Sequence, residues 1–270
     1  MFLSGEVYAW FAVCDTRTLI MAILITVWAS RLTYNFHRRG GYSWPPWRGE
    51  EDYRWKILQN GTLFSFLTNK YLWIVFNLVF ISIFQIFLLM LITTPSLVAW
   101  SAATLDCQQS VYRPFQMLGL DGVASLLILF WILIESIADN QQYEFQTEKY
   151  RLRATNDESL LVHDYKDGFY HSSGLFKLVR KPNYMAEQAI WISYYLFSLS
   201  ATSFQSLLNW SALGFFLLCL LFQGSSYLTE MITEGKYPKY RDYKNEVPLF
   251  VPSIFSLFRI AFGKMKKKEN

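Results

Sequence analysis

The chain is poor in charge, poor in cysteine and devoid of the common nucleotide-binding and hydrolase motifs. Charged residues make up 17% of the 270 positions, against ~25% in an ordinary soluble domain, so a soluble globular protein is a poor fit. With 13 glycines and 8 prolines it is neither collagen-like nor low-complexity. The three cysteines, Cys14, Cys107 and Cys219, are far apart and lack metal-ligand spacing. No disulfide framework and no metal site are expected from them. A Walker loop, GxGxxG, HExxH, CxxC and GxSxG are all missing, so the soluble dinucleotide folds give no basis for a cofactor. No internal repeat is evident, and the start lacks the basic and small-residue pattern of a signal peptide.

Apolar residues dominate instead. They account for 53% of the chain, with aromatics alone at 19%, and they recur along its whole length. This pattern predicts one integral membrane domain over residues 1–270. A helix crossing a bilayer needs ~20 mostly apolar residues. Segments 19–34, 71–94, 117–138, 186–202 and 207–228 meet that need. The expected fold is all-α: a polytopic membrane helical bundle of about five spans plus interfacial helices. Residues 95–105 are expected to be reentrant or interfacial at most, and 253–262 to form a short interfacial helix. The opening Val7-Tyr8-Ala9-Trp10-Phe11 reads like the tail of a membrane helix whose beginning is missing.

Charge distribution predicts orientation. Segments 35–70, 139–185 and 229–270 carry 6, 7 and 9 Lys/Arg, which is 22 of the 25. Positive residues collect on the cytosolic side, so these three segments and the C-terminus are expected there. The final Lys267-Lys268-Glu269-Asn270 ends the basic tail 263–270 and resembles the dilysine retrieval signal of endoplasmic-reticulum membrane proteins. A basic tail held by anionic lipid is the plainer account. Nucleic-acid binding is not expected, because the basic residues follow membrane topology.

Polar residues inside apolar spans are costly and are usually functional or paired. Three clusters stand out. Arg31, Asn35 and Arg38 fall on one face at the end of the first span. Glu135, Asp139, Gln142 and Gln146 share a face where the third span exits. A structural pairing of Glu135 with Arg31 competes with ligand binding there. Arg180-Lys181-Pro182-Asn183-Tyr184, followed by Glu187, opens the fourth span. Free amides and bases at such a helix start suit a phosphate, while ordinary capping explains the same residues. The closing segment with Tyr237, Arg241 and Tyr243 could stack a ring and pair with phosphates, or form a membrane-surface belt.

Four blocks, RLTYNFHRRGGYSW…GEEDYRW (31–55), ESIADNQQYEF (135–145), GLFKLVRKPNYMAEQAIW (174–191) and KYPKYRDYKNEVPLFVP (236–252), carry a resemblance. They resemble the uncharacterised DUF1295-type membrane proteins related to the steroid 5-alpha-reductase C-terminal domain. The resemblance implies a helical bundle with a cofactor cavity open to the cytosol and NADPH as cofactor. It implies hydride transfer to a carbon–carbon double bond of a sterol or other lipid, with an acid residue protonating the second carbon. Family cofactor positions fall on Asp139, with Gln142 in the same block, and on Arg180, Asn183, Tyr184, Glu187, Tyr237, Arg241 and Tyr243. Arg38, with Arg31 and Asn35 beside it, matches the basic element after the early helix. The steroid reductases' early-helix Tyr is not matched, since Trp28 stands in that stretch. Tyr34 and Glu135 are the remaining proton-donor candidates. Isoprenylcysteine and phospholipid methyltransferases, which use S-adenosylmethionine, share a similar Arg-x-Pro…Glu block and are the alternative. A non-catalytic lipid-binding membrane protein is a third possibility.

Overall fold

The computed structural model describes residues 15–42, 44, 53–61, 64–108, 119–155, 159, 162–203 and 207–252. The expected helix tail at 7–14, the interfacial helix at 253–262 and the basic tail lie outside the described residues, as does most of the 43–52 loop. The elements are α1 (Thr16–Arg38), α2 (Tyr53–Gln59), α3 (Lys70–Phe76), a π-helical segment (Asn77–Phe84), α4 (Gln85–Ile92) and α5 (Thr94–Gln108). They continue as α6 (Gly119–Ala154), α7 (Asp164–Asp167), α8 (Pro182–Ala201), α9 (Ala212–Lys236) and α10 (Tyr240–Glu246). Short 3-10 turns occupy Ser65–Thr68 and Gly174–Lys177, and no strand occurs among the described residues.

Four helical stretches, Thr16–Arg38, Lys70–Leu105, Gly119–Ala154 and Ala212–Lys236, are long and apolar enough to cross a membrane. Their outward faces are rows of large apolar side chains. Leu19, Ile23 and Val27 line α1, Leu126, Phe130 and Leu133 line α6, and Leu213, Phe216 and Leu220 line α9, all exposed. Helical spacing puts each row on one side. Apolar patches of this extent mark an interaction surface or an aggregation hazard in water; in lipid they are the natural outer surface. The chain is a multi-pass helical membrane protein.

About five spans were expected, and four described stretches combine the required length with the required apolarity. The segment at 186–202 does form a 20-residue helix, α8, but Gln188, Ser193, Ser198 and Ser200 lie buried along it and dilute its apolar character. The third span also does not stop at residue 138. No Gly or Pro occurs between Gly122 and Ala154, and the Glu, Gln, Lys and Arg residues of that stretch are good helix formers. Residues 95–105 are helical as part of α5, with Pro95 in its first turn, where a missing N–H costs nothing.

The chain divides into two compact units, residues 1–128 with 191–220, and 129–190 with 221–270. The division falls inside α6, α8 and α9. In the first unit, Asp15 caps α1 by accepting from the Thr18 amide. The buried stripe Thr18, Met21, Ala22, Ile25 and Trp28 follows at helical spacing. Trp28 meets Trp191 edge-on at 4.9 Å, and the aromatic line continues through Tyr194 and Phe197 on α8. The Tyr194 hydroxyl shares a 2.5 Å hydrogen bond with Ser96 of α5. Gly214 of α9 lies so close to Leu91 that a Cβ would collide with its carbonyl oxygen, the small-residue contact that membrane helices use to approach.

One buried ion pair ties three helix ends in this unit. Arg17 Nε donates to both Asp121 carboxylate oxygens at 3.0 and 3.2 Å, and Nη2 reaches the Ser200 hydroxyl at 3.5 Å. Asp121 is fully buried and Arg17 is 13% exposed. Asp121→Ala leaves the guanidinium buried without its counter-ion. We expect a loss of about 3–5 kcal/mol, read as a lowered unfolding temperature in detergent. Ser200→Ala, which removes only a long contact from the guanidinium to an uncharged hydroxyl, should shift it far less.

Candidate functional site

The second unit is organised around Arg180. Its Nε donates to Glu230 Oε1 at 2.6 Å and its Nη2 to Glu230 Oε2 at 3.2 Å, a bidentate pair with exposures of 9% and 6%. Nη1 donates to the carbonyls of Lys244, at 2.9 Å, and Val247. The backbone joins in: Arg180 N–H donates to Pro248 O at 2.9 Å and Lys181 N–H to Leu249 O at 3.2 Å. One guanidinium thus binds the Arg-Lys-Pro-Asn-Tyr turn, the end of α9 and the segment after α10. The planar fork of Arg suits this, and Lys could not reproduce it. Tyr240 donates to Glu230 Oε1 at 3.2 Å. Burial, reinforced by the Glu230 charge, raises its phenol well above the usual range, so it stays a donor.

Neighbouring residues shape the rest. Gly174 has φ +62°, and its missing Cβ is replaced by the Gln141 amide, whose Oε1 accepts from Leu175 N–H at 3.0 Å. Gly168, at φ +85°, makes room for the Tyr237 ring in the same way. Asp164 accepts from the amides of His171 and Ser172, both at 3.1 Å. Phe169, Tyr240, Tyr243 and Val247 form the local core with Tyr237 packed on it. Tyr243 also donates to Phe176 O at 2.5 Å.

The predicted residues fall into several environments. Glu135 and Asp139 are buried at 6% and 5% exposure, and Gln142 is half-buried. Asn183, Tyr184 and Glu187 are half-buried at the start of α8. The Tyr184 ring lies 4.7 Å from Phe222, with Lys181 Nζ 5.6 Å from its centre. Arg241 is exposed and paired with Glu234 at 2.8 Å. In the first unit, Arg38 Nε donates to Asn35 Oδ1 at 2.9 Å, and its guanidinium stands 5.5 Å from the Tyr34 ring. Tyr34 is 63% exposed, and Arg31 is half-buried one turn before Asn35.

Sequence reasoning treated Arg180 as an anion contact and did not see Glu230, fifty residues away, as its partner. Glu230 lies in the polar second half of α9, QGSSYLTEMITEGK (223–236), where a carboxylate does not stand out. Gln141, Tyr240, Asp164 and His171 were missed as well, since their hydrogen bonds and ring contacts carry no sequence pattern.

A cavity of 590 Å³ opens in this unit, lined among others by Asp167, Phe169, His171, Lys177, Lys239 and Tyr243. Its size is that of a small-molecule pocket. Tyr243 is the one predicted residue on its wall. Lys177 and Lys239 on its wall stand with the carboxylates Asp167, Asp242 and Glu246, and Lys239 Nζ is paired with Asp167 at 2.7 Å. The fully buried Ser226 hydroxyl has no hydrogen-bond partner among the described residues.

The family described as "Protein of unknown function (DUF1295)" matches residues 3–247, and the chain belongs to it, as the four blocks led us to expect. It is 35% identical over 247 residues to a Schizosaccharomyces pombe (strain 972 / ATCC 24843) protein described as "Uncharacterized protein C594.04c". That match covers 90% of this chain and 66% of the relative, so the chain spans about two thirds of the length of the relative it matches. No solved structure matches it.

Truncating either side of the Arg180–Glu230 pair leaves a buried charge. Arg180→Met and Glu230→Leu alone should each cost about 3–5 kcal/mol and speed hydrogen exchange at the Arg180 and Lys181 amides. The double variant should recover most of that loss. Additive losses in a double-mutant cycle would show that the two side chains are not coupled.

Proposed function

We propose, from the resemblance of its four blocks to the steroid 5-alpha-reductase C-terminal domain, that the chain is an NADPH-dependent membrane oxidoreductase that reduces a carbon–carbon double bond of a steroid, sterol or other lipid. We place it in the endoplasmic-reticulum membrane with its basic segments and C-terminus in the cytosol. The observation that carries this reading is the polar stripe of α6. It begins with buried Glu135 and Asp139, inside a helix apolar enough to span, and continues to Gln142. An apolar setting suits a lipid, and a polar exit suits a nucleotide. The blocks shared with the steroid 5-alpha-reductase C-terminal domain support the cofactor assignment.

When bound, NADPH supplies the hydride. The chain's own residues bind, orient and protonate. Asp139, Gln142 and Asn183 hold the polar parts of the nucleotide by hydrogen bonds. Exposed Arg241 meets a phosphate, and Tyr184 offers a ring face. Arg180 acts indirectly: paired with Glu230, it fixes the turn that presents Asn183 and Tyr184. Of the two proton-donor candidates, Glu135 is preferred. It is buried, whereas the Tyr34 ring is 63% exposed and open to exchange with its surroundings. Exclusion of water around the reacting carbons protects the hydride and strengthens local electrostatics.

The test is cofactor binding by the purified protein in detergent, with NADPH, NADH and S-adenosylmethionine titrated in parallel. NADPH should bind most tightly. Asp139→Asn and Asn183→Ala should each weaken it about tenfold or more, the worth of one hydrogen bond to a charged group. Glu135→Gln should keep binding and lose turnover of a lipid substrate. Arg180→Ala is a poor probe, because it also breaks the fold. Selective S-adenosylmethionine binding would replace this function with a membrane methyltransferase. Binding of none of the three would favour a non-catalytic lipid-binding protein.

A further inference from the structure

The 590 Å³ cavity of the second unit is lined by two segments. One runs from Asp167, the last residue of α7, to Lys177. The other is α10 with its flanks, from Lys239 to Val247. Both lie outside the helical stretches apolar enough to span. Of the predicted nucleotide contacts only Tyr243 lines the cavity, and its hydroxyl donates to Phe176 O. The cavity is therefore a different place from the stripe of α6 and the start of α8.

Its lining is fixed by contacts within the chain. Lys239 Nζ and Asp167 pair at 2.7 Å and tie α10 to the end of α7. The His171 ring is held by Nδ1, 3.2 Å from both Phe169 O and Asp164 Oδ1, with Nε2 3.7 Å from Asp167. The buried rings of Phe169 and Tyr243, 5.6 Å apart, supply an apolar part of the lining.

Two opposite charges are left over. Lys177 is half-buried and Asp242 is exposed. Neither side chain makes an ion pair or hydrogen bond with a described residue. They line one cavity without pairing, so they stand beyond ion-pair reach of each other. Glu246 follows Asp242 by one turn on the same face of α10, and Ser172 adds a hydroxyl to the segment of Lys177. A phosphate alone would face two carboxylates, and an amine alone would leave Lys177 unmatched. A molecule carrying both charges meets both ends.

We propose that this cavity binds a small zwitterion in which an ammonium and a phosphate are joined by a short chain. Asp242 and Glu246 take the ammonium, which the aromatic lining also suits. Lys177 and the Ser172 hydroxyl donate to the phosphate, whose three acceptor oxygens match several donors better than a carboxylate does. This group occurs free and as the head of a phospholipid.

The test measures binding of phosphoethanolamine, ethanolamine and inorganic phosphate to the full chain in detergent by calorimetry. Phosphoethanolamine should bind about tenfold more tightly than either half, the worth of one added charged contact. Lys177→Met should remove its advantage over ethanolamine, and Asp242→Asn should cut its advantage over phosphate. Neither variant should lower the unfolding temperature, since neither side chain has a partner among the described residues. Saturating NADPH should leave the affinity unchanged, so the outcome is independent of the cofactor reading. A photoactivatable phosphatidylethanolamine in nanodiscs separates the two sources. Labelling of 167–177 or 239–247 that both variants reduce assigns a lipid headgroup, whereas binding of the free compound without such labelling assigns a soluble ligand. Equal affinity for the zwitterion and either half, affinity indifferent to both variants, displacement by NADPH, or neither binding nor labelling would each overturn the proposal.

Discussion

A buried polar group without a partner is costly, most of all in hydrocarbon where it cannot turn to water, and beside local Ser and Thr bonds to the preceding turn this chain meets that constraint with pairs far apart in sequence. Arg17 and Asp121 are 104 residues apart, Ser96 and Tyr194 are 98 apart, and Arg180 and Glu230 are 50 apart. The first two join separate helices, the third joins the turn before α8 to α9, and each is buried or nearly so. Helix-to-helix contact between apolar side chains contributes little specificity in lipid, because the acyl chains are as apolar as leucine. Buried polar pairs and close approaches such as Gly214 against Leu91 therefore do much of the work of choosing one packing over another.

The same constraint explains which parts were legible in the sequence. Long apolar runs located α1, the Lys70–Ile92 stretch, α6 and α9, because hydropathy reports what a residue does alone. The acidic row of α6 was visible for the same reason: carboxylates in an apolar run stand out. Partners were not visible. Asp121 stands inside the 117–138 segment and Arg17 just before the 19–34 segment, and no pattern in the sequence joins them. Arg180 sat at a helix start and looked available to a phosphate. Its counter-ion lies on another helix, and only the folded chain joins them. Residue 138 was taken as the end of the third span because apolarity falls there, whereas helix geometry depends on backbone propensity and continues to Ala154.

The Arg180 network also changes what the family blocks mean. Gly174 is shaped by Gln141, the Arg-Lys-Pro-Asn-Tyr turn is held by Glu230, and the closing Tyr-Pro-x-Tyr-x-x-Tyr segment supplies Tyr240 and Tyr243 to the local core. The ESIADNQQYEF, GLFKLVRKPNY and KYPKYRDY blocks are therefore one structural unit as well as a set of candidate contacts. A residue within such a block can matter because it touches a ligand or because it holds one that does. Arg180 holds the turn that carries half-buried Asn183 and Tyr184.

Helix α6 shows how a single element can serve both media. Its 36 residues extend about 54 Å at 1.5 Å per residue, well beyond the ~30 Å of a bilayer core. Roughly 16 residues must then stand outside the hydrocarbon, and the sequence divides accordingly. Leu126, Phe130 and Leu133 are exposed in the apolar part, whereas Glu148, Arg151 and Arg153 come at the far end. The far end is anchored as well: Lys149 donates to Gly168 O at 3.2 Å, and Phe145 stacks on Tyr165 at 5.3 Å. Glu135 and Asp139 fall where the two regimes meet. A carboxylate at that depth is costly in lipid and is better accommodated where polar neighbours can reach it, which makes the exit of α6 the point where the apolar and polar regimes of this helix join.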